Sequence, residues 1–490
     1  MSDDQLKVYW FNTEWLFPSK DTVCVQFSGL CFIALSSKDN NTKEKMVLRW
    51  GTFVLALILL PLVATLAEAE SEEEILSRFQ RYLRINTAHP NPRYKEAVQF
   101  LLEVSQSLPL ENQVVEHAQG KPLLLLKWPG SRPDLPSILL YSHTDIVPYE
   151  PQYWAHDPLS AHLDLDSGKI YARGSQDMKG VSIQHVEALR RLAASGFVPL
   201  RTIYTVFSPD EEIGGEDGAG LFVDSPLFRE LNVGIVLDEG LASSGKKYTA
   251  FYAEKAPWWF VIKAVGDPGH GSKLYDNSAM ENLLKSIESI RRFRSSQFDL
   301  VKAGIKSAGE VISVNVVFLK AGTQTPTGFV MNLQPSEAEA GFDVRLPPTA
   351  DLESFERRIA EEWAPSSRNM TYSFKQKAVI FDKFGKRMIT RTDHSNPWWG
   401  LLDEAVRKSG EELEKPEIFP AATDARYFRY HGIPAIGFSP MANTPILLHE
   451  HNEFLHKDEY LKGIRVYESI IRVYSSYTEE ENGESSKDEL

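Results

Sequence analysis

Apolar positions recur at helical spacing over 74–83 and 94–108, whereas 121–127 and 137–142 are short apolar runs that predict strands. A long helix is predicted over 177–195. A strand over 201–208 then runs into an acidic, glycine-rich loop, and another over 233–237 ends in Asp-Glu-Gly. Strands alternating with helices in this way predict an α/β domain whose working loops lie at the carboxyl ends of its strands. Between 258 and 375 the pattern changes. Strands are expected over 259–265, 311–319, 339–345 and 370–376, with helices over 279–292 and 351–362, the content of a compact α+β insert with two helices on one face of a small sheet. The chain then returns to the first domain through 398–409, 435–438 and a closing helix over 457–474, and no stretch repeats another.

One apolar stretch fits neither domain. Residues 50–67 carry no charge, Lys43, Lys45 and Arg49 precede them, and Ala67 and Ala69 bracket Glu68 in a small-residue cleavage pattern. The stretch lies too far inward for a secretory signal unless the chain starts at Met46, which would make 46–69 a signal peptide and 1–45 an upstream extension. A retained signal anchor and a buried helix are the rival readings. Residues Lys487, Asp488, Glu489 and Leu490 form the address read by the endoplasmic reticulum retrieval receptor. Together the two signals predict residence in the endoplasmic reticulum lumen, after an acidic segment over 477–490. The only cysteines, Cys24 and Cys31, lie before the apolar stretch, so a chain processed there would carry no disulfide. Asn369-Met370-Thr371 is an acceptor pattern for glycosylation that suits this compartment.

Composition narrows the class further. With 42% hydrophobic and 24% charged residues the chain is an ordinary globular protein long enough for more than one domain. A formal net charge of -14 offers no basic surface and excludes a nucleic-acid partner.

The chemistry gathers at strand ends. His143 and Asp145 follow the run 136–140, Asp177 lies in ARGSQDMKG, Glu211 and Glu212 in SPDEEIGG, Glu239 in LDEG and His449 in LLHEHNEFL. Any one of them alone reads as a cap or a hydrogen-bond partner. Acids or imidazoles on consecutive strand-end loops, with no thiolate among them, instead suit borderline divalent ions such as zinc. A pair of bridged metals needs one carboxylate that touches both, further ligands for each, and an acid outside the ligand set to take a proton from water. Adjacent Glu211 and Glu212 can divide the last two roles.

These blocks, with GDPGHGS and TDARYFRYHGIPAIGFSP, resemble over about 72–476 the metallopeptidase family that contains carboxypeptidase G2, acetylornithine deacetylase and succinyl-diaminopimelate desuccinylase. The last two blocks resemble its aminoacylase branch. The resemblance implies a mixed-sheet, zinc-exopeptidase-like α/β catalytic domain (70–257 and 376–476), interrupted by an inserted α+β dimerisation or lid domain (258–375). It implies two Zn2+ per subunit. His143 and Glu239 would hold the first, Glu212 and His449 the second, Asp177 would bridge them, Asp145 would orient His143, and Glu211 would be the general base. His449 is preferred to His451 because the family places its ligand four residues before a glutamate, here Glu453. The resemblance further implies that His270 reaches the active site of the partner subunit of a homodimer and stabilises the oxyanion, and that Asn332 in VMNLQP helps bind the reacting centre. Gln334 departs from the usual Ile or Val there. Arg426 could pair with a substrate carboxylate through its planar fork. The implied reaction is hydrolysis of an N-acyl-L-amino acid, with a dipeptidase, carboxypeptidase or amino-acid conjugate hydrolase of the same family as the alternative. Trp258, Trp259, Trp398 and Trp399 could line an acyl pocket, although paired aromatics are more often core.

Overall fold

The computed structural model describes residues 70–478 and, before them, the backbone of an antiparallel hairpin pairing Thr22–Phe27 with Leu30–Leu35. The apolar stretch 50–67 and the Lys-Asp-Glu-Leu sequence lie outside the described residues. Among the described residues no helix is long and apolar enough to cross a membrane.

From Glu72 the chain builds an eight-stranded sheet in the spatial order Glu417–Phe419, Ala250–Glu254, Ala435–Phe438, Val233–Asp238, Ser137–His143, Ile203–Ser208, Lys121–Trp128, Glu111–Ala118. Its four middle strands are parallel, and antiparallel pairing returns on either side of them. Ser137–His143 is buried throughout. Ile138 and Leu140 face a core shared with the helices Glu72–Leu83, Lys179–Ala194, Pro397–Lys408 and Lys457–Ser476, while Leu139 and Tyr141 face a second core with Phe222, Phe228 and Phe428. Burial on both faces explains why the strand reads as an unbroken apolar run rather than an alternating one.

Several boundaries differ from the sequence reading. The helix expected over 177–195 begins at Lys179, leaving Asp177 on the preceding turn. The acidic run at 70–74 is in part the first turn of helix Glu72–Leu83, where carboxylates complement the helix dipole. Strands Glu111–Ala118, Ala250–Glu254 and Glu417–Phe419 are additional to those expected.

The insert is a four-stranded antiparallel sheet in the order Ser313–Ala321, Glu337–Leu346, Ala256–Val265, Met370–Lys377. It has its own core, in which Trp258, Phe260, Phe355 and Trp363 pack together, and Trp258 Nε1 donates to the Ala378 carbonyl at 2.9 Å. Helix Ala279–Lys302 covers this sheet and runs ten residues past its expected end. Trp398 is buried in the core beside the eight-stranded sheet and Trp399 packs against it, so the tryptophan pairs serve mainly the cores, with Trp259 half exposed.

Candidate metal centre and active site

The parallel strands deliver the candidate residues to one end of the sheet. His143 closes its strand in register with Ser208, which ends the neighbouring strand and leads into the 209–215 loop. Glu239 directly follows Val233–Asp238. Asp177 sits on the turn before its helix, and His449 takes a left-handed backbone conformation with φ of 63° in the loop before Phe454–His456.

These residues meet around Asp177. One carboxylate oxygen, Oδ1, lies 3.0 Å from His143 Nε2, and the other, Oδ2, lies 3.3 Å from His449 Nε2. His143 Nε2 is also 3.8 Å from Glu239 Oε2, and His449 Nε2 is 3.1 Å from Glu212 Oε2. The donor atoms of His143, Asp177 and Glu212 fall within 4.8 Å of one another, as do those of His143, Glu211 and Glu239. His451 is committed elsewhere, 3.3 Å from Glu150 and stacked on Tyr153, which leaves His449 as the imidazole at the cluster.

Asp145 does more than orient His143. The His143 Nδ1–H donates to the Asp145 backbone carbonyl at 3.1 Å, with the Asp145 carboxylate 3.5 Å away. The carboxylate itself accepts from the backbone N–H groups of Glu211 (3.2 Å) and Glu212 (3.1 Å) and pairs with His89 at 2.9 Å. It thus fixes the loop that carries the base. His89 was not foreseen, because its role arises only from a contact distant in sequence. Glu453 also exceeds its role as a spacing marker. Fully buried, it accepts from Arg173 Nη1 (2.8 Å) and from the backbone N–H groups of Gly174 (3.2 Å), Gln176 (2.7 Å) and Asp177 (3.4 Å), gathering the loop that presents Asp177.

Electrostatics show what the cluster wants. Burial, then Glu239, pushes the Glu211 carboxyl well above its usual range, and burial, then Asp177, pushes Glu212 up to about 7. Asp177 and Glu212 raise His449 to about 10. Despite burial, His143 and His449 hold Asp177 low, and His143 and His89 hold Asp145 at about 2. The carboxylates outnumber the imidazoles, and Glu212 Oε1 is buried with no hydrogen-bond partner. Such a set is uncompensated on its own and fits divalent cations, with Asp177 able to offer one oxygen to each.

Arg426 touches the same loop. Its guanidinium donates to the carbonyls of Gly214 (2.5 Å) and Thr423 (2.8 Å). The neighbouring Asp424 accepts from Tyr141 Oη at 2.7 Å and lies so close to Gly215 that a Cβ there would sit 2.0 Å from Asp424 Oδ1, so only glycine fits. His270 and Asn332 come together in the insert, where Gly269–His270 pairs with Leu333–Gln334 and the Gly271 N–H donates to the Asn332 carbonyl at 2.8 Å. The exposed His270 ring bonds Ser272 at 2.8 Å and, among the described residues, makes no bond to the metal cluster.

Comparison with known proteins finds relatives along most of the chain. The sequence fits the profile of Peptidase family M20/M25/M40 over residues 139–473. It is 44% identical to aminoacylase-1 of Mus musculus over 413 residues, spanning 84% of this chain and 98% of that protein. It is 43% identical to aminoacylase-1 of Dictyostelium discoideum over 408 residues, spanning 82% and 97%. The M20 family metallo-carboxypeptidase Sso-CP2 from Sulfolobus solfataricus shares the fold with a TM-score of 0.61 at 19% identity, covering 82% of this chain and 99% of that chain.

Proposed function

Because the chain belongs to peptidase family M20/M25/M40 and aligns with aminoacylases along almost their whole length, we propose that it hydrolyses N-acyl-L-amino acids to a carboxylate and a free L-amino acid. The observation that carries this reading is the division of labour around Asp177, whose two oxygens face two imidazoles while Glu211, in the same cluster, bonds neither. His143, Asp177 and Glu239 would hold one zinc ion and Asp177, Glu212 and His449 the other. Such a pair supplies a Lewis acid for the amide carbonyl and makes water easier to deprotonate.

The chain's own residues do the rest. Glu211 accepts a proton from water at its carboxylate and returns it to the departing amine nitrogen, and its burial favours the protonated form between those events. Asp145 keeps Glu211 and Glu212 on their separate bearings by holding both backbone N–H groups. We assign Arg426, anchored on the loop of the base, an N–H for the substrate carboxylate, and Asn332 a contact with the reacting centre. We assign His270 the stabilisation of the tetrahedral oxyanion in the partner subunit of a homodimer. The stretch 50–67 and the sequence 487–490 support lumenal residence in the endoplasmic reticulum with capture by the retrieval receptor, which cell fractionation with and without the last four residues would test.

The decisive experiment measures amine release by the zinc-loaded protein from N-acetyl amino acids and from dipeptides, with Glu211→Gln alongside. Turnover of the acyl-amino acids, reduced by roughly 10²–10⁴ in a variant that keeps its zinc, is the expected result. Turnover of dipeptides alone would move the assignment to a peptidase.

A further inference from the structure

A single residue, Lys255, separates strand Ala250–Glu254 of the central sheet from strand Ala256–Val265 of the inserted sheet. Its backbone N–H is bonded to the Ala421 carbonyl at 2.9 Å, and the residue is only 2% exposed. Among the described residues no hydrogen bond or ion pair engages its ammonium, whose tip is not fully sealed from solvent. Burial first, and the nearby Arg345 second, lower its pKa to about 8, and Arg345 is itself engaged with Asp343 at 2.8 Å. A largely buried cation without an anion is costly, which favours an anionic ligand beside it.

Lys255 lines a cavity of about 260 Å³ between the helix Ala279–Lys302, the strand Ser313–Ala321 and Pro420 of the catalytic domain. The remaining walls are chemically mixed in a useful way. Phe298, Val301 and Ile312 are apolar, while Arg294 uses its Nε to bond Asn315 Oδ1 at 3.2 Å and stands exposed at the rim. The cavity is bounded where the turn Ala308–Glu310 meets Ile418 so closely that a Cβ on Gly309 would sit 1.9 Å from the Ile418 carbonyl oxygen. Apolar cavities of about 150 Å³ take benzene, so this one has room for a chain of roughly six carbons with a charged head.

We propose that this cavity binds a small carboxylate carrying an apolar group, with Lys255 as its counter-ion, Arg294 at the mouth, and Phe298, Val301 and Ile312 against the apolar part. The single ammonium matches the single charge of a carboxylate, and Phe298, Val301 and Ile312 offer apolar surface to its chain, while Gln297, Ser313 and Asn315 leave polar groups on the wall. The site sits on the connection between the two sheets and stands independently of the reaction proposed above.

Isothermal titration calorimetry on the full-length, zinc-loaded protein tests it, using hexanoate, hexan-1-ol and inorganic sulfate as probes. Saturable hexanoate binding is expected, weakened by roughly tenfold or more in Lys255→Met and for the uncharged alcohol, because a charge-assisted bond is lost in each case. Val301→Phe, which fills the cavity and leaves the ammonium in place, should weaken hexanoate as well, and it carries the test alone should Lys255→Met fail to fold. Hexanoate binding unchanged in these variants, as binding at the metal centre would give, overturns the proposal. So does wild-type protein that shows no saturable binding, or sulfate that competes as well as hexanoate.

Discussion

His185 lies within helix Lys179–Ala194, 1% exposed, with neither ring nitrogen hydrogen-bonded and its face set edge-on to Tyr467 at 4.4 Å. Burial lowers its pKa to about 3, so the folded protein keeps the ring neutral while the unfolded chain protonates it near 6.5. For a depressed histidine the sign is fixed. The unfolded state binds the extra proton, so stability is intact above about 6.5 and falls as pH drops from there toward 3, by about 1.4 kcal/mol per pH unit. Urea midpoints at pH 6.5 and pH 5 should show a wild-type loss about 2 kcal/mol larger than that of His185→Leu. Equal losses would mean that the ring finds a partner, such as water. Nothing local in the sequence marks this residue, just as nothing marks His89: both owe their character to what packs against them. His143 was legible for the opposite reason, since a polar residue at the end of an apolar run announces itself, whereas the roles of Asp177 and His449 came from the family resemblance.

At the scale of elements, the candidate site depends on loops that cannot hold their own shape. The 173–177 loop is drawn around Glu453, whose carboxylate accepts from Arg173 and from three backbone N–H groups. Glu453→Ala leaves Arg173 buried and unpaired and should lower stability by about 3–5 kcal/mol in urea unfolding. It should also weaken zinc roughly tenfold or more in competition with a chromophoric chelator, because Asp177 loses the frame that aims it. Removing metal from the wild-type protein should lower its melting temperature, since an ion at a hundredfold excess over its dissociation constant adds about 2.7 kcal/mol per site. A melting temperature indifferent to chelator would show that the carboxylates satisfy each other without ions. Two of the strands missed from sequence carry too little apolar signal to be read. Glu417–Phe419 is too short to show a period, and Glu111–Ala118 is largely exposed, so its pattern carries little apolar signal. Past Ile290 and Phe293 the long insert helix is tied to the neighbouring strand by polar contacts, Arg294 with Asn315 and Gln297 with Ile312, and an apolar stripe cannot report those.

At the scale of the whole molecule, the open question is whether one chain completes its own active site. His270 and Asn332 belong to the insert, are tied to each other, and among the described residues make no bond to the metal cluster of their own chain. If His270 acts across a homodimer, two dead proteins can repair one another. Glu211→Gln lacks the base and His270→Asn lacks the oxyanion donor, so each homodimer is expected to be nearly inactive. In a mixed dimer, the site with an intact Glu211 faces the subunit that keeps its His270, while the other site lacks both groups. Random exchange makes about half of the dimers mixed, each with one working site of two, so activity should return to about a quarter of wild type. A mixture that stays as inactive as its components would place His270 in its own chain's site or outside the reaction. Sedimentation of the same samples separates failure of exchange from failure of the idea, because a chain that never dimerises cannot borrow a histidine.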